Sequence, residues 1–390
     1  MERIKAALVG LGFMGPLHIE ALRRIGGVDI TAIADSDPAK AEGAARHWGI
    51  PRCYGSYQEL LEKEDFDMLH NCTPNHLHFE INAAALRAGR HIFSEKPLAV
   101  NTTQSRELVA IAKKYKKINA VGYNYRYNSL VREIQSRIAA GVYGKILLCH
   151  GSYLQDWLLL DTDYNWRVEG EQCGDTRAVS DIGSHWSDMI QYLTGSRISR
   201  VMASLRTIVP VRKKPLKAAD TFAGTTLRPE EYTEISITNE DCGFVMFELE
   251  SGVCGQFLVS QVSAGRKCYF NFEIDCEQAS ISWNQENPEQ AFIGRRNREN
   301  ELLIKDPALM GAESRIYVHS PAGHPEGYLD GVKNMLLCVY THLSTLKEGK
   351  ASPGGPVDFP TFADAHSVML VCEAVARSNR EKSWVQVDYR

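Results

Sequence analysis

The sequence predicts a two-part α/β protein: a doubly wound parallel sheet over residues 1–126, then an α+β domain over 127–390 with an open-faced, mainly antiparallel sheet. Three observations carry this. In the first part, short apolar runs alternate with helical patterns, as βαβ units require. In the second, apolar and polar residues alternate at period two, the pattern of a sheet with one buried and one wetter face. Finally, 390 residues exceed what one core serves, since single cores stop growing near ~250 residues.

Taken in order, the apolar runs Ile4 to Val9, Asp29 to Ala34, Met68 to Cys72, His91 to Ser94 and Ile118 to Gly122 are the expected parallel strands. Helical spacing falls between them, over about Met14 to Ile25, Pro38 to Trp48, Ser56 to Glu64, Asn75 to Ala88 and Thr102 to Tyr115. Ile235 to Thr238, Phe244 to Leu249, Phe257 to Val262 and Phe270 to Asp275 are expected strands of the second sheet. Leu329, Val332, Leu336, Val339, Tyr340 and Leu343 recur at helical spacing, and another helix is expected from about Pro360 to Arg377. Ser352-Pro353-Gly354-Gly355-Pro356 joins these two helices as a loop rather than separating domains.

Composition excludes several classes. At 44% hydrophobic and 24% charged, the chain can bury a core and is not low-complexity. Forty-four Lys and Arg against 48 Asp and Glu, without a long block of either sign, exclude the footprint of a nucleic-acid binder. Ten scattered cysteines with no C-x-x-C give no support to a zinc or thioredoxin-type site. No window reaches the ~18 consecutive apolar residues of a membrane span, and the first residues do not read as a signal peptide. A reduced, cytoplasmic protein with no nucleic-acid or membrane partner is expected.

Gly10-Leu11-Gly12-Phe13-Met14-Gly15 follows the first strand and opens the first helix. In that context the first glycine makes the tight turn, the second admits a pyrophosphate and the third lets helix and strand pack closely. The helix N-terminus then faces the anion. Asp35 ends the second strand, 20 residues after Gly15, where a carboxylate accepts from ribose hydroxyls. A 2′-phosphate would meet a like charge there, so the expected cofactor is NAD rather than NADP. The other candidate cofactor contacts are Phe13 and Met14 in the fingerprint, Thr73, Asn75 and His78, then Glu95 and Lys96, and Asn124. Asn75 can equally be a helix cap, and Glu95-Lys96-Pro97 an ordinary loop. His76 and His78 point about 200° apart on a helix, so no metal site is expected.

Asp181-Ile182-Gly183-Ser184-His185-Trp186-Ser187-Asp188 begins a further helix, with Asp181, His185, Asp188 and Tyr192 on a polar stripe and Ile182, Trp186, Met189, Ile190 and Leu193 on an apolar one. A carboxylate one turn from an imidazole raises its basicity and orients it. The alternative is that Asp181 is an N-cap and His185 a satisfied buried histidine.

Taken together, Gly10-x-Gly12-x-x-Gly15, Glu95-Lys96-Pro97, Asn165-Trp166-Arg167 and Asp181-x-Gly183-x-His185-x-x-Asp188 resemble the glucose-fructose oxidoreductase and inositol dehydrogenase family, Gfo/Idh/MocA, over essentially the whole chain. The resemblance implies a Rossmann domain followed by an open-faced sheet domain, often used for oligomerisation, so a homodimer or homotetramer through that sheet is expected. It also implies that His185 is the general acid/base, that Asp181 positions it, and that Lys96 hydrogen-bonds the reacting hydroxyl near the nicotinamide. Pro97 resembles a frequently cis proline, and Trp166-Arg167 a pair bordering the cofactor. Where many members carry a glycine-rich run before the Asp-x-Gly-x-His motif, this chain has Cys173-Gly174-Asp175-Thr176-Arg177.

Trp157, Trp166, Trp186, Tyr153 and Tyr164 interleave with Gln155, Asp156, Asn165 and Arg167, a mixture that suits a sugar or cyclitol or else packs a domain junction. Tyr125, Gln155 and Ala322-Gly323-His324-Pro325-Glu326-Gly327-Tyr328 resemble the family's levoglucosan and glycoside 3-dehydrogenase types. That likeness would put Tyr125, Gln155, Asn165 and His324 on the substrate. The expected activity is NAD-dependent oxidoreduction at a secondary hydroxyl of a sugar, anhydrosugar, glycoside or cyclitol. The same residues would serve glycoside cleavage through transient oxidation. A non-catalytic NAD-binding regulator would be expected to lack Lys96, Asp181 or His185, and all three are present.

Overall fold

The protein is described by a computed structural model over residues 3–216, 228–352 and 355–390, so Pro353 and Gly354 of the expected connecting loop lie outside the described residues. The chain forms two compact units, one holding everything up to Asn124 together with Val332–Ser367, the other Tyr125–Gly331 with Val368–Arg390. A single cut at 126/127 therefore misplaces the segment 332–367. Its return to the first unit has a local cause. Val121 donates to the Pro360 carbonyl, Phe362 donates to Asn119 Oδ1, and Ala120 bridges Thr361.

The first unit runs β1 (Ile4–Val9), α1 (Met14–Ile25), β2 (Val28–Ala34), α2 (Pro38–Trp48), β3 (Arg52–Tyr54), α3 (Tyr57–Lys63), β4 (Met68–Asn71), α4 (Asn75–Arg87), β5 (His91–Ser94), α5 (Thr102–Tyr115) and β6 (Asn119–Val121). Its strands form one parallel sheet in the order β3-β2-β1-β4-β5-β6. Only β3 was not expected. The order reverses between β1 and β4, and ligands of such sheets bind beyond the strand ends at that point. Ala6, Ala7, Leu8, Met68 and Leu69 are fully buried, which explains why these strands read as continuous apolar runs.

The second unit begins with α6 (Ser129–Ala139) and β7 (Ile146–Leu154), then α7 (Gly170–Cys173), a π-helical turn (Val179–Gly183) and α8 (Ser184–Thr194). Strands β8 (Ile198–Arg206), β9 (Val211–Pro215), β10 (Tyr232–Ser236), β11 (Cys242–Leu249), β12 (Cys254–Ser260), β13 (Tyr269–Cys276), β14 (Ser280–Asn284), β15 (Gln290–Gly294) and β16 (Glu301–Ile304) follow. After α9 (Ala312–Arg315) come α10 (Tyr328–Lys347), which belongs to the first unit from Val332 on, and α11 (Phe362–Glu381), which returns to the second at Val368, and the chain ends with β17 (Val385–Gln386). The large sheet runs β16-β15-β14-β13-β7-β12-β11-β8-β17. Every pairing is antiparallel except β7 with β12. The expected strand at Ile235 instead pairs β10 with β9 in a separate ribbon.

Alternation sorts the large sheet's two faces. On β13, Phe270, Phe272 and Ile274 are buried while Asn271, Glu273 and Asp275 are half-exposed. The inner face carries α8 through Trp186, which stacks on Phe257 and donates to the Asn271 carbonyl. Gly151 makes this possible, because a Cβ there would lie 2.9 Å from Trp186 Nε1. On the opposite face, Leu148, Phe244, Met246, Phe292, Leu302 and Ile304 are exposed.

Candidate active site

The glycine-rich turn has the geometry that a dinucleotide needs. Gly10 adopts φ +90°, where an L side chain is strained, and a Cβ there would also strike the Cys72 carbonyl at 2.7 Å. A Cβ on Gly15 would lie 2.4 Å from the Gly10 carbonyl oxygen, so this glycine sets the close approach of α1 to β1. Gly12 has nothing within 4 Å of its Cβ position, leaving its backbone open to a ligand. Helix α1 starts behind Phe13, whose side chain has no oxygen to cap it. Asp35 Oδ2 accepts from Leu11 N at 2.8 Å and Oδ1 from Asp37 N at 3.0 Å, with the Lys40 ammonium 4.0 Å from Oδ2. Each oxygen keeps a lone pair for a ribose hydroxyl.

The loops after β4, β5 and β6 are tied to one another. Thr73 Oγ1 donates to Asn71 Oδ1, and Asn75 is the buried first residue of α4. Pro74 occupies the cap position, so Asn75 is not the helix cap. His78 is fully buried with one ring nitrogen at 2.6 Å from the Pro97 carbonyl and the other at 2.8 Å from the Thr73 carbonyl. It clamps two loops together instead of reaching a ligand. Burial pushes its basicity down while both carbonyls pull it up. The Lys96–Pro97 bond is cis, and Lys96 is half-buried. Glu95 is buried, receives the Lys96 N–H on Oε2 at 3.3 Å, and fills the space where a Cβ on Gly122 would stand. Asn124 Nδ2 is buried with no hydrogen-bond partner among the described residues, a donor that a nicotinamide nucleotide could take up. These features fit NAD.

In the second unit, Asp181 lies within the π turn, its N–H bonded to the Arg177 carbonyl, so it is not an N-cap. The turn is braced by Glu240, whose carboxylate accepts from Arg177 N and from Val179 N at 2.8 Å. Asp241 pairs beneath it with the buried Arg177 and Arg212. Asp181 is buried, accepting from Gln261 Nε2 on Oδ2 at 2.9 Å and from Arg167 Nε on Oδ1 at 3.2 Å. Gln261 was not anticipated, and its own Oε1 is buried without a partner among the described residues. His185, on the first turn of α8, is buried with its ring edge-on to Tyr125 at 4.8 Å. The expected polar stripe is in fact internal. Asp188 is buried and paired with Arg126 at 2.7 Å, and Tyr192 receives a hydrogen bond from Arg132.

Among the substrate candidates of this unit, Tyr125 sits in an aromatic cluster with Tyr153, Phe270 and Tyr328, whereas Gln155, Asn165 and His324 meet local partners. Its hydroxyl is 2.6 Å from that of Tyr153 and 3.2 Å from Cys268 Sγ, and its ring stacks on Phe270 and meets Tyr328 edge-on. Burial pushes the Tyr125 and Tyr153 phenols well above their ordinary range, so both stay protonated. Gln155 Oε1 is occupied by Trp157 Nε1. Asn165 caps a short helical turn by accepting from Arg167 N, and the Arg167 guanidinium lies over Trp166. Trp157 and Tyr164 pack on Leu158, Val168 and Ile237 in a cluster inside the second unit. His324 is exposed, its Nδ1 facing its own loop's Ala322 carbonyl at 3.3 Å.

Comparison with known proteins agrees with this arrangement. Residues 4–123 match the oxidoreductase family with an NAD-binding Rossmann fold, and residues 131–282 the GFO/IDH/MocA C-terminal domain. The chain is 30% identical to levoglucosan dehydrogenase of Pseudarthrobacter phenanthrenivorans, over 99% of both proteins. It is 25% identical to inositol 2-dehydrogenase/D-chiro-inositol 3-dehydrogenase of Lactiplantibacillus plantarum, over 70% of this chain and 68% of that one. Among solved structures, levoglucosan dehydrogenase in complex with NADH and levoglucosan superposes with a TM-score of 0.87 at 27% identity, covering all of both chains. No helix among the described residues is long and apolar enough to cross a membrane.

Proposed function

Because the chain belongs to the Gfo/Idh/MocA oxidoreductase family, we propose that it is an NAD-dependent dehydrogenase acting on a secondary hydroxyl of a sugar, anhydrosugar, glycoside or cyclitol. NAD, when bound, supplies the hydride acceptor at nicotinamide C4. Gly10, Gly12, Gly15 and Asp35 hold the dinucleotide, with Thr73, Asn75, Glu95 and Asn124 lining the strand ends. His185 takes the hydroxyl proton on a ring nitrogen as the alcohol becomes a carbonyl, and returns it in the reverse direction. Asp181 orients the imidazole and stabilises its charged form. Lys96 donates a hydrogen bond to the developing alkoxide. Trp166 and Arg167 border the nicotinamide, and Tyr125, Gln155, Asn165 and His324 contact the substrate.

The observation that carries the reading is the buried Asp181 carboxylate, fixed by Gln261 and Arg167 one turn before a histidine packed on Tyr125. Incubation with NAD and a panel of free sugars, anhydrosugars, glycosides and inositols tests it through the near-ultraviolet absorbance of NADH. Stoichiometric NADH with one subgroup is expected. Sugar release without NADH would point to glycoside cleavage by transient oxidation, and bound NAD with neither product would refute both.

The exposed residues Leu148, Phe244, Met246, Phe292, Leu302 and Ile304 share the open sheet face, and we infer that copies of the chain associate there as a dimer or tetramer. Light scattering at micromolar concentration checks this, and a strictly monomeric mass refutes it. The ten cysteines stand as free thiols, which suits a reducing, cytoplasmic location.

A further inference from the structure

Four side chains that the reaction above leaves without a chemical step form one buried string in the first unit. Tyr340 Oη lies 2.7 Å from His70 Nε2, His70 Nδ1 lies 2.9 Å from His18 Nδ1, and His18 Nε2 lies 3.0 Å from Glu95 Oε1. His18 and His70 are 0% exposed, Tyr340 4% and Glu95 5%. Phe93 stacks on His70 and packs edge-on to His18, and the Tyr340 ring lies nearly parallel to that of His70.

Proton accounting leaves one favoured arrangement. Burial beside Asp67 drives the Tyr340 phenol well above its ordinary range, so it keeps its proton, and we take it to donate that proton to His70 Nε2, 2.7 Å away. Burial and the neighbouring His18 ring drive His70 well below its ordinary range, so it is neutral. A neutral imidazole that accepts at Nε2 carries its proton at Nδ1. It therefore donates to His18 Nδ1, and His18 carries its proton at Nε2 and donates to Glu95 Oε1. That oxygen must then be an acceptor. A second proton on His18 would force His70 into its other tautomer and turn the Tyr340 hydroxyl away, so the string changes only as a unit. The other titratable groups facing Glu95 are Cys72, His78 and Lys96.

We propose that Tyr340, His70 and His18 are positioning residues, a one-way string of donors that holds Glu95 as an oriented carboxylate against the Lys96 main chain. The string thereby fixes the first residue of the Glu95-Lys96-Pro97 loop without placing a positive charge in the interior. Its kinetic consequence rests on the dehydrogenase reading; its tautomers do not.

Selective ¹⁵N-histidine labelling of the wild-type full chain reads the string directly, because the shifts of Nδ1 and Nε2 report which nitrogen is protonated. His70 is expected to be protonated at Nδ1, unchanged between about pH 5.5 and 8 where an ordinary histidine titrates, and His18 at Nε2. His18→Gln and His70→Gln assign the resonances. Tyr340→Phe removes the donor to His70 Nε2 and leaves no acceptor for a proton there, so it is expected to keep both tautomers and to move the His70 Nε2 resonance to that of an unbonded ring nitrogen. In that variant the less firmly held Glu95-Lys96-Pro97 loop should lower kcat/KM several-fold. Wild-type His70 protonated at Nε2, His70 titrating in that window, or a His70 Nε2 resonance unmoved in Tyr340→Phe would each overturn the proposal. Correct tautomers in a protein that oxidises no substrate would overturn only the dehydrogenase reading.

Discussion

Replacing Asp35 by alanine should invert a preference, not simply weaken binding. Its carboxylate oxygens each hold one backbone N–H, from Leu11 and Asp37, and each can receive a ribose hydroxyl. Hydrogen bonds to a charged group are worth about 1.5–3 kcal/mol each when buried, and this side chain is 13% exposed, so a loss of about 2 kcal/mol, or roughly thirtyfold in NAD affinity, is expected. For NADP the sign reverses. A carboxylate about 5 Å from a phosphate charge costs ~3 kcal/mol at an effective dielectric of about 20. Its removal also releases Lys40, now 4.0 Å from Asp35 Oδ2, toward the phosphate. Halving the electrostatic part for solvent screening leaves a shift in the NADP/NAD affinity ratio of roughly 10²–10³. Fluorescence titrations with NADH and NADPH at low and high salt measure it, and salt should shrink only the NADPH gain. Losing the Leu11 bond loosens the turn for both cofactors alike, so the ratio is the discriminating quantity. Equal weakening of both would refute the assignment of Asp35 to the ribose.

His185→Ala should lower kcat by at least ~10²-fold with NADH affinity nearly unchanged, and retained turnover in steady-state assays would remove His185 from the mechanism. Gly15→Ala sets a methyl 2.4 Å from the Gly10 carbonyl oxygen, so a loss of about 1–3 kcal/mol in stability and at least ~10-fold in NAD affinity is expected by thermal melting and titration. Unaltered NAD binding would show that the turn can give. His91 is held at about 4, chiefly by burial and then by the Lys117 charge, and its Nδ1 accepts from Ile118 N. The unfolded chain therefore binds a proton that the folded chain refuses as pH falls from about 6.5 towards 4, and stability falls over that window by up to ~3 kcal/mol. His91→Asn should flatten this slope in pH-dependent denaturation; an identical slope would assign it elsewhere.

The first unit was legible because its signals are local: a strand, three glycines at fixed spacing, a helix and an acid at the next strand end. What escaped was β3, three residues at a sheet edge, and in the second unit β8, β9, β14 to β17 and also β7, where Cys149, His150, Gly151 and Ser152 break any alternation. Helices α10 and α11 were visible as patterns, but their first residues carry no mark of which unit they pack in. That is fixed by Val121, Asn119 and Ala120 meeting Pro360 to Phe362. At the site, Asp181 and His185 stood out through their motif. Gln261, just past β12, could not, since its bond to Asp181 spans 80 residues and one amide carries no sequence signal. Cys268 was equally silent, and Tyr153 showed only as one of several interleaved aromatics. His18 left a trace: it shares the buried side of α1 with Gly15, Ile19 and Leu22, the position of a histidine that must find partners inside.

The π turn at Val179–Gly183 makes the site sensitive to residue count more than to residue identity. A π turn holds roughly one residue more than an α turn, and each α-helical residue advances about 100° around the axis. Deleting any one residue from this stretch would let the backbone relax into continuous α-helix. Everything before the deletion, Arg177 and its Glu240 brace included, would be swung about 100° relative to His185 and the Trp186 anchor. Substitutions within the turn leave that angle alone. In lineages descending from this chain, the segment can therefore vary in spelling while its length is held fixed, and an indel there would mark the loss of the Arg177–Glu240 brace even where Asp181 and His185 survive.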